Sequence, residues 1–445
     1  MNTTFKIKRM VYAAAGVIWM AAATHSFAQN ARTITLEEAI EMSLKNSKQL
    51  KLSQTNVDLA GLSIRQIKEN QLPSLSISGS YLRVNTPNID LKIKQNGNDS
   101  TGGGAAPAVH QAMYGMASAS LPIFSGFRFK YGLESAHYLE QAAKLDVEND
   151  RDAIIQNTVA AYSNLYKAKK SLDLVSENLL RERERVAEFT NREKNGMLAR
   201  NDLMKAKLQE SNVELALLNA ENDLKITTIN MDLMLGLPEN TSVLADSASF
   251  IQLKEEGSVD QWEQSALAHR KDFAANGIRQ KAAVTDIKVA KADFYPSIAL
   301  TAGYVALNIP GVAMIPNAVN AGIGVKYDIA SLWKSGAKIE QAKTRVYQLK
   351  TNEEMLLDRI HLEVNTAYFN YVLSKRKIDV YAKAVEQASE NYRITKNKYD
   401  NSLVTTTDLL DADVAQVQSQ INYEAAKADA IVAYKKLEQT AGMIN

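Results

Sequence analysis

Two periodicities alternate along this chain, and each appears twice. Apolar residues recur at steps of three and four through long stretches, as in Leu410, Val414, Val417, Ile421, Ala425, Ala428 and Ile431, which is the spacing of a helix face. The same stretches are purged of breakers. No proline falls between Pro122 and Pro238 or after Pro316, Gly196 is the only glycine from Leu133 to Leu235, and Ala337 to Ala441 contains none. Proline costs about 3 kcal/mol and glycine about 1 in a helix interior, so the gaps themselves predict helices. The pattern gives one very long helix near 127–194 and another near 334–400, each roughly 100 Å long at ~1.5 Å per residue. Half-length helices are predicted near 36–70, 201–235, 259–293 and 407–441. The first opens on Thr35-Leu36-Glu37-Glu38, a capping box, and stops at Pro73. Stacked end to end, two half-length helices match one long one, so one should lie along each half of it.

Between the helices the period changes to two. In Ser74-Leu75-Ser76-Ile77-Ser78-Gly79-Ser80-Tyr81 every even position is serine, and Ala117, Ala119, Leu121 and Ile123 alternate with Ser118 and Ser120. One greasy and one wet face over about ten residues suit a membrane strand, and equally a half-buried hairpin of a soluble domain. Strands are predicted near 73–84, 113–125, 296–308 and 318–330. The connecting segment from Asn85 to Gln111, with Thr101-Gly102-Gly103-Gly104, reads as a surface loop, because no strand-to-helix junction follows it.

The whole pattern is said twice. Pro73-Ser74-Leu75-Ser76-Ile77 aligns with Pro296-Ser297-Ile298-Ala299-Leu300; Ala161-Tyr162 matches Ala367-Tyr368, Asp202-Leu203 matches Asp408-Leu409, and Gly236 matches Gly442. The fold class is therefore mostly α with a small β part, built as a duplicated helix, β-hairpin, long helix and helix. The predicted divisions are a signal peptide at 1–28, a first repeat at 29–237, a linker at 238–258 and a second repeat at 259–445. Four membrane strands cannot close a barrel, since the smallest need about eight, and lipid tolerates no open sheet edge. Identical copies must pool their strands, and three copies give twelve, a barrel whose strands feed into the ~100 Å helices as a tube continued far beyond the membrane.

Composition narrows the picture. The formal net charge of +2 supplies no basic stripe for nucleic acid, and the absence of cysteine removes disulfides and thiolate metal sites. Lys6, Lys8 and Arg9 followed by the apolar Met10 to Ala23 and by Ser26-Phe27-Ala28 read as a secretory signal cleaved after Ala28. The alternative is an uncleaved anchor, although the apolar run is well short of the ~20 residues a spanning helix needs. The histidines form no metal or nucleophile pattern: His25 is in the signal, His110 in the loop, and His137, His269 and His361 are scattered over helices. No enzyme activity, metal or cofactor is expected.

At this point the sequence resembles the outer membrane efflux protein (TolC) family over nearly all of the mature chain. The resemblance rests on the opening Thr35-Leu36-Glu37-Glu38-Ala39-Ile40, the two Pro-Ser strand starts, Leu121-Pro122-Ile123-Phe124-Ser125-Gly126, the Tyr399 to Ala412 turn region and the closing Ala441-Gly442. It implies a homotrimer whose 12-stranded outer-membrane β-barrel is continued by a periplasmic α-helical barrel, with a helical tip that docks on a periplasmic adaptor (membrane fusion) protein. An inner-membrane pump would supply the energy for multidrug efflux or type I secretion. In the family, carboxylates at the positions of Asp408 and Asp411 line the periplasmic aperture. The spacing alone also fits a helix start, with Thr405 three residues before Asp408. Tyr399 and Asp202 match positions that hold neighbouring hairpins together when the duct is closed. The basic residue usual five positions after that tyrosine is Val404 here, which leaves Arg200 to serve. The turns Gly196-Met197-Leu198 and Ser402-Leu403-Val404 resemble adaptor-docking tips, with Ser402 where glycine is usual; ordinary helical hairpin turns use the same residue types. The competing reading is a periplasm-spanning tether or coiled-coil surface protein without a conducting pore.

Overall fold

The computed structural model describes residues 32–85, 110–238, 241–247, 255, 257–310 and 313–444. The expected signal peptide and most of the expected surface loop lie outside the described residues. Elements run in the order β1 (Arg32–Ile34), α1 (Leu36–Asn46), α2 (Lys48–Glu69), β2 (Ser74–Arg83), β3 (Gln111–Ser125), α3 (Arg128–Lys194) and α4 (Arg200–Leu235). After β4 (Val243–Ala245) the order recurs as α5 (Val259–His269), α6 (Lys271–Lys291), β5 (Ser297–Ile309), β6 (Ala313–Lys326), α7 (Ser331–Asp400) and α8 (Thr406–Thr440). The long helices hold 67 and 70 residues, roughly 100 Å each at ~1.5 Å per residue.

The leading half-length helix of each repeat is broken where the sequence pattern predicts continuity. Ser47 separates α1 from α2 with φ −58° and ψ 118°, and its hydroxyl accepts from the Leu50 amide at 3.1 Å. Serine there caps the next helix as the last one ends, a role apolar spacing does not reveal. Arg270 makes the same break between α5 and α6, with ψ 124°.

β2, β3, β5 and β6 form one antiparallel sheet in that order, so the central pairing joins the two repeats. The register sorts the faces. Ile77, Ala117, Tyr304 and Val319 form one cross-strand row and Leu121, Leu300 and Ile323 another, while Ser76, Ser118, Gly303 and Asn320 make a row of the other kind. Ser76 and Ser118 share a hydroxyl–hydroxyl hydrogen bond of 2.8 Å on the wet face. β6 starts earlier than its alternation predicts and runs through Pro316. It is an edge strand with a register irregularity beside that proline, and a bulged edge tolerates the missing N–H. Asp328 and Ile329, predicted as strand, instead turn the chain into α7: the Asp328 carboxylate accepts from the Ala330 amide at 3.1 Å.

The helices extend the order of the sheet. α2 and α4 pack along α3, α3 packs on α6 and α8, and these pack on α7. The half-length helices meet end to end, as their lengths imply. Asn46 donates its side-chain amide to the Leu235 carbonyl at 2.6 Å, and Arg270 donates to the Thr440 carbonyl at 3.4 Å. The principal core lies at the first joint, where Ile34, Leu36, Ile155, Val159, Tyr162, Leu165, Met231 and Leu235 are buried together. The Tyr162 hydroxyl donates to the Ile34 carbonyl at 2.8 Å and accepts from the Asp246 amide at 2.8 Å, tying the β1–β4 pair to α3. Trp262, Ile360, Val364, Tyr371 and Leu437 form the counterpart at the second joint. Among the described residues no helix is long and apolar enough to cross a membrane.

Candidate functional site at the hairpin tips

Far from the sheet, α3–α4 and α7–α8 end in two turns of the same geometry. At the first, the Asn195 side chain donates to the Asn191 carbonyl at 2.8 Å, Gly196 is left-handed with φ 74°, and the Met197 amide returns to the Arg192 carbonyl at 2.8 Å. At the second, the Asn401 side chain donates to the Asn397 carbonyl at 2.8 Å, Ser402 takes φ 61°, and the Leu403 amide returns to the Lys398 carbonyl at 2.8 Å. A helix that ends on a left-handed residue satisfies its last carbonyls in this way. Ser402 does without glycine what Gly196 does with it. Both turns push an apolar side chain into solvent: Met197 is 69% exposed and Leu403 73%. Leu198 folds back against the cluster of Phe189, Leu203 and Ala206, and Val404 is half-buried.

The helices that leave the turns start differently. Thr405 and Asp408 make a reciprocal capping box: the Asp408 amide donates to the Thr405 hydroxyl at 3.2 Å, and the Asp408 carboxylate accepts from the Thr405 amide at 2.8 Å. The Thr405 hydroxyl, and after it the amide, holds the Asp408 carboxyl below its ordinary range. Asp411, one turn on, is exposed like Asp408. At the first tip α4 has Ala199 at its cap and no side-chain bond there. Asp202, the repeat counterpart of Asp408, instead accepts from Lys205 at 3.3 Å.

The two hairpins of one chain touch just behind the turns. The Tyr399 ring stacks on Phe189 with centroids 5.7 Å apart, and the Thr406 hydroxyl lies 3.4 Å from the Tyr399 hydroxyl. Lys205 reaches across from α4, donating to Thr407 at 3.1 Å as well as to Asp202. Tyr399 and Asp202 are thus both drawn into this contact. Arg200 is exposed and has no hydrogen bond or ion pair with any described residue.

A further cluster lies deeper and is not legible as a motif. Glu182 and Arg185 of α3, Asp413 of α8 and Tyr392 of α7 converge where the hairpins pack, with Glu182 and Asp413 fully buried. The run Arg181-Glu182-Arg183-Glu184-Arg185 reads as a solvated face. Yet Glu182 lies on the stripe of Val175, Leu179 and Phe189, all buried, and helical spacing from those residues is the signal that finds it.

A helical layer hung from a four-stranded sheet with one apolar face, and ending in paired tips, is the fold of an outer-membrane channel protomer. It superposes on VceC of Vibrio cholerae with a TM-score of 0.72 at 18% identity, covering 92% of this chain and 96% of that one. On the CmeC outer-membrane channel of Campylobacter jejuni the TM-score is 0.73 at 17% identity, covering 92% and 85%. The profile of the outer membrane efflux protein family matches residues 39–237 and 262–443, and this chain belongs to that family. The outer membrane efflux protein BepC of Brucella suis biovar 1 (strain 1330) is 25% identical over 447 residues, 99% of this chain and 92% of BepC. The chain is an outer-membrane channel protein of an efflux system.

Proposed function

We propose that three copies of this chain close edge to edge into one passive export duct of an efflux or type I secretion system. The carrying observation is that both layers of the fold end on open, apolar edges. β2 and β6 bound the sheet, and each has a ladder face with no partner strand among the described residues. The helical layer ends the same way: Leu208, Leu215, Leu218 and Ile226 are exposed on α4 at one edge, and Met355, Leu362, Phe369 and Val380 on α7 at the other. Apolar surface on this scale calls for a partner, and unlike edges on one chain make a head-to-tail contact, which forms a ring where the rotation between copies closes. Two copies give eight strands, whose interior side chains just fill. A third copy makes twelve and leaves a lumen.

In such a ring Asp408 and Asp411 of every copy face the narrow end, where converging carboxylates repel anions and favour cations. Tyr399 and Asp202 hold the hairpins in the closed arrangement, and Arg200 is free to reach the next copy. The exposed Met197 and Leu403, set by Gly196, Leu198, Ser402 and Val404, present apolar knobs to a periplasmic adaptor protein. An inner-membrane pump drives export through that adaptor, and nothing in this reading requires catalysis by the chain itself.

Planar-bilayer recording of the detergent-purified chain tests the proposal. A duct gives one size of cation-preferring channel. A tether gives no conductance, and that result would reject the reading.

A further inference from the structure

We infer that a proton shared by Glu182 and Asp413 sets how firmly the two hairpins of one chain are joined behind the tips, so that the duct opens more readily as pH rises. This inference rests on the duct reading above and adds a control element to it.

The geometry is that of two carboxyls on one guanidinium. Arg185 Nη1 donates to Glu182 Oε1 at 2.7 Å and to Asp413 Oδ2 at 3.2 Å; Nη2 donates to the same Asp413 oxygen and to the Tyr392 hydroxyl, both at 3.3 Å. Arg185 is 9% exposed, and the two carboxylates are inaccessible. One oxygen of each carboxyl, Glu182 Oε2 and Asp413 Oδ1, has no donor. With both acids ionised the cluster would hold an uncompensated negative charge and two unsatisfied acceptors out of water, an expensive arrangement. Both carboxyls accept from the same Arg185 nitrogen, Nη1, and so sit side by side. A single proton between them neutralises the cluster and converts an acceptor into a donor. Burial, and then the Asp413 carboxyl, push Glu182 up to about 8 against the pull of Arg185.

The cations beside the cluster are engaged elsewhere. Arg181 pairs with Glu177, and Arg183 with Glu210 and Glu214 of α4. Lys205 of α4 binds Asp202 and Thr407, and on α7 Lys396 pairs with Asp400 and Arg393 with Glu390. The cluster spans α3, α7 and α8, so it is a joint between hairpins rather than a strut within one. Moving α8 away from α3 at this level would hydrate both acids and release the proton. The closed arrangement therefore binds one proton more than the opened one between the ordinary carboxylate range and about pH 8. One proton shifts the opened-to-closed ratio by up to about tenfold per pH unit, towards opened as pH rises.

The test is conductance of the purified full-length assembly in planar bilayers from about pH 5 to 8.5, for the wild type, Glu182→Gln and Asp413→Asn. Either amide supplies the N–H that the shared proton otherwise provides. The inference expects wild-type opening to climb severalfold across this window, and both variants to stay flat and low. A wild type that conducts but is flat across the window overturns it, as do variants that follow the wild-type profile. Infrared spectroscopy at neutral pH gives a readout independent of conduction and of the variants' gating. A protonated-carboxyl band present in the wild type and lost in Glu182→Gln supports the shared proton, and its absence from the wild type overturns it. A chain that conducts at no pH counts against the duct reading instead, with the infrared result still deciding the proton.

Discussion

Gly236 abuts Asn46 so closely that a Cβ on the glycine would lie 2.8 Å from the asparagine Cβ. The same asparagine donates to the Leu235 carbonyl, so one contact fastens the end of α4 to the end of α1. Gly442 repeats this in the second half, where its Cβ would meet the His269 carbonyl carbon at 2.7 Å. Both glycines are left-handed, with φ 71° and 70°. Gly236→Ala and Gly442→Ala should each cost about 2 kcal/mol or more, combining a forbidden backbone with overpacking. Gly196→Ala, with open space around it, should cost only about 1 kcal/mol. Thermal unfolding of the three variants in detergent checks the ranking, and equal losses would contradict it.

Ser402 bears the left-handed strain that its counterpart Gly196 avoids. Ser402→Gly should therefore stabilise the second turn by about 1 kcal/mol. Amide exchange over residues 398–405 should slow accordingly, whereas unchanged exchange would mean that the turn carries no strain.

Asp408 and Asp411 are separable although they sit one turn apart. Only Asp408 is engaged in a capping box, so Asp408→Ala should destabilise the start of α8 and speed amide exchange there. Asp411→Ala should leave stability within about 0.5 kcal/mol, as expected of an exposed site. If both line the aperture, each variant lowers the cation-to-anion permeability ratio and the double variant lowers it further. An unchanged ratio in the double variant would return both residues to a purely helical role.

Phe189 is almost wholly buried against Tyr399 at the contact between hairpins. Phe189→Ala should cost about 3 kcal/mol in stability. A double-mutant cycle with Tyr399→Ala should show coupling of about 0.5–1.5 kcal/mol, the range for stacked rings. Coupling near zero would mean that the rings do not join the hairpins.

Asp152 provides a pH-dependent check on the upper part of the helical layer. Burial, opposed by Lys271 and Arg151, pushes its carboxyl up to about 6. The folded chain then binds this proton more tightly than the unfolded one, so stability is lost as pH rises from the ordinary carboxylate range, 3.8, through about 6. Asp152→Asn should raise Tm at about pH 7.5 and leave it unchanged near pH 3.5. An equal gain at both would show that the effect is not electrostatic.

The long elements were legible because each is announced by an absence. Without proline, and nearly without glycine, α3 and α7 have nothing to stop them, and the alternation of Ser76-Ile77-Ser78 admits no helix. What stayed hidden depends on tertiary placement. The break at Ser47 is a capping choice made where α1 meets the end of α4. The strand predicted near 318–330 begins beyond Pro316, and only its place on the open edge of the sheet lets β6 pass through that proline. At the tips the turn residues could be read from Asn195-Gly196 and Asn401-Ser402, but the stacking of Tyr399 on Phe189 could not. Glu182 and Arg185 carried a surface composition into a buried seam, and only their phase relative to Leu179 and Phe189 betrays them.

Native mass spectrometry of the detergent-released assembly tests the central claim, that the open edges of one chain are closed by those of identical neighbours. A single species of three copies is expected, with neither a stable monomer nor an open-ended ladder. A monodisperse monomer, with β2 and β6 both left without partners, would contradict it.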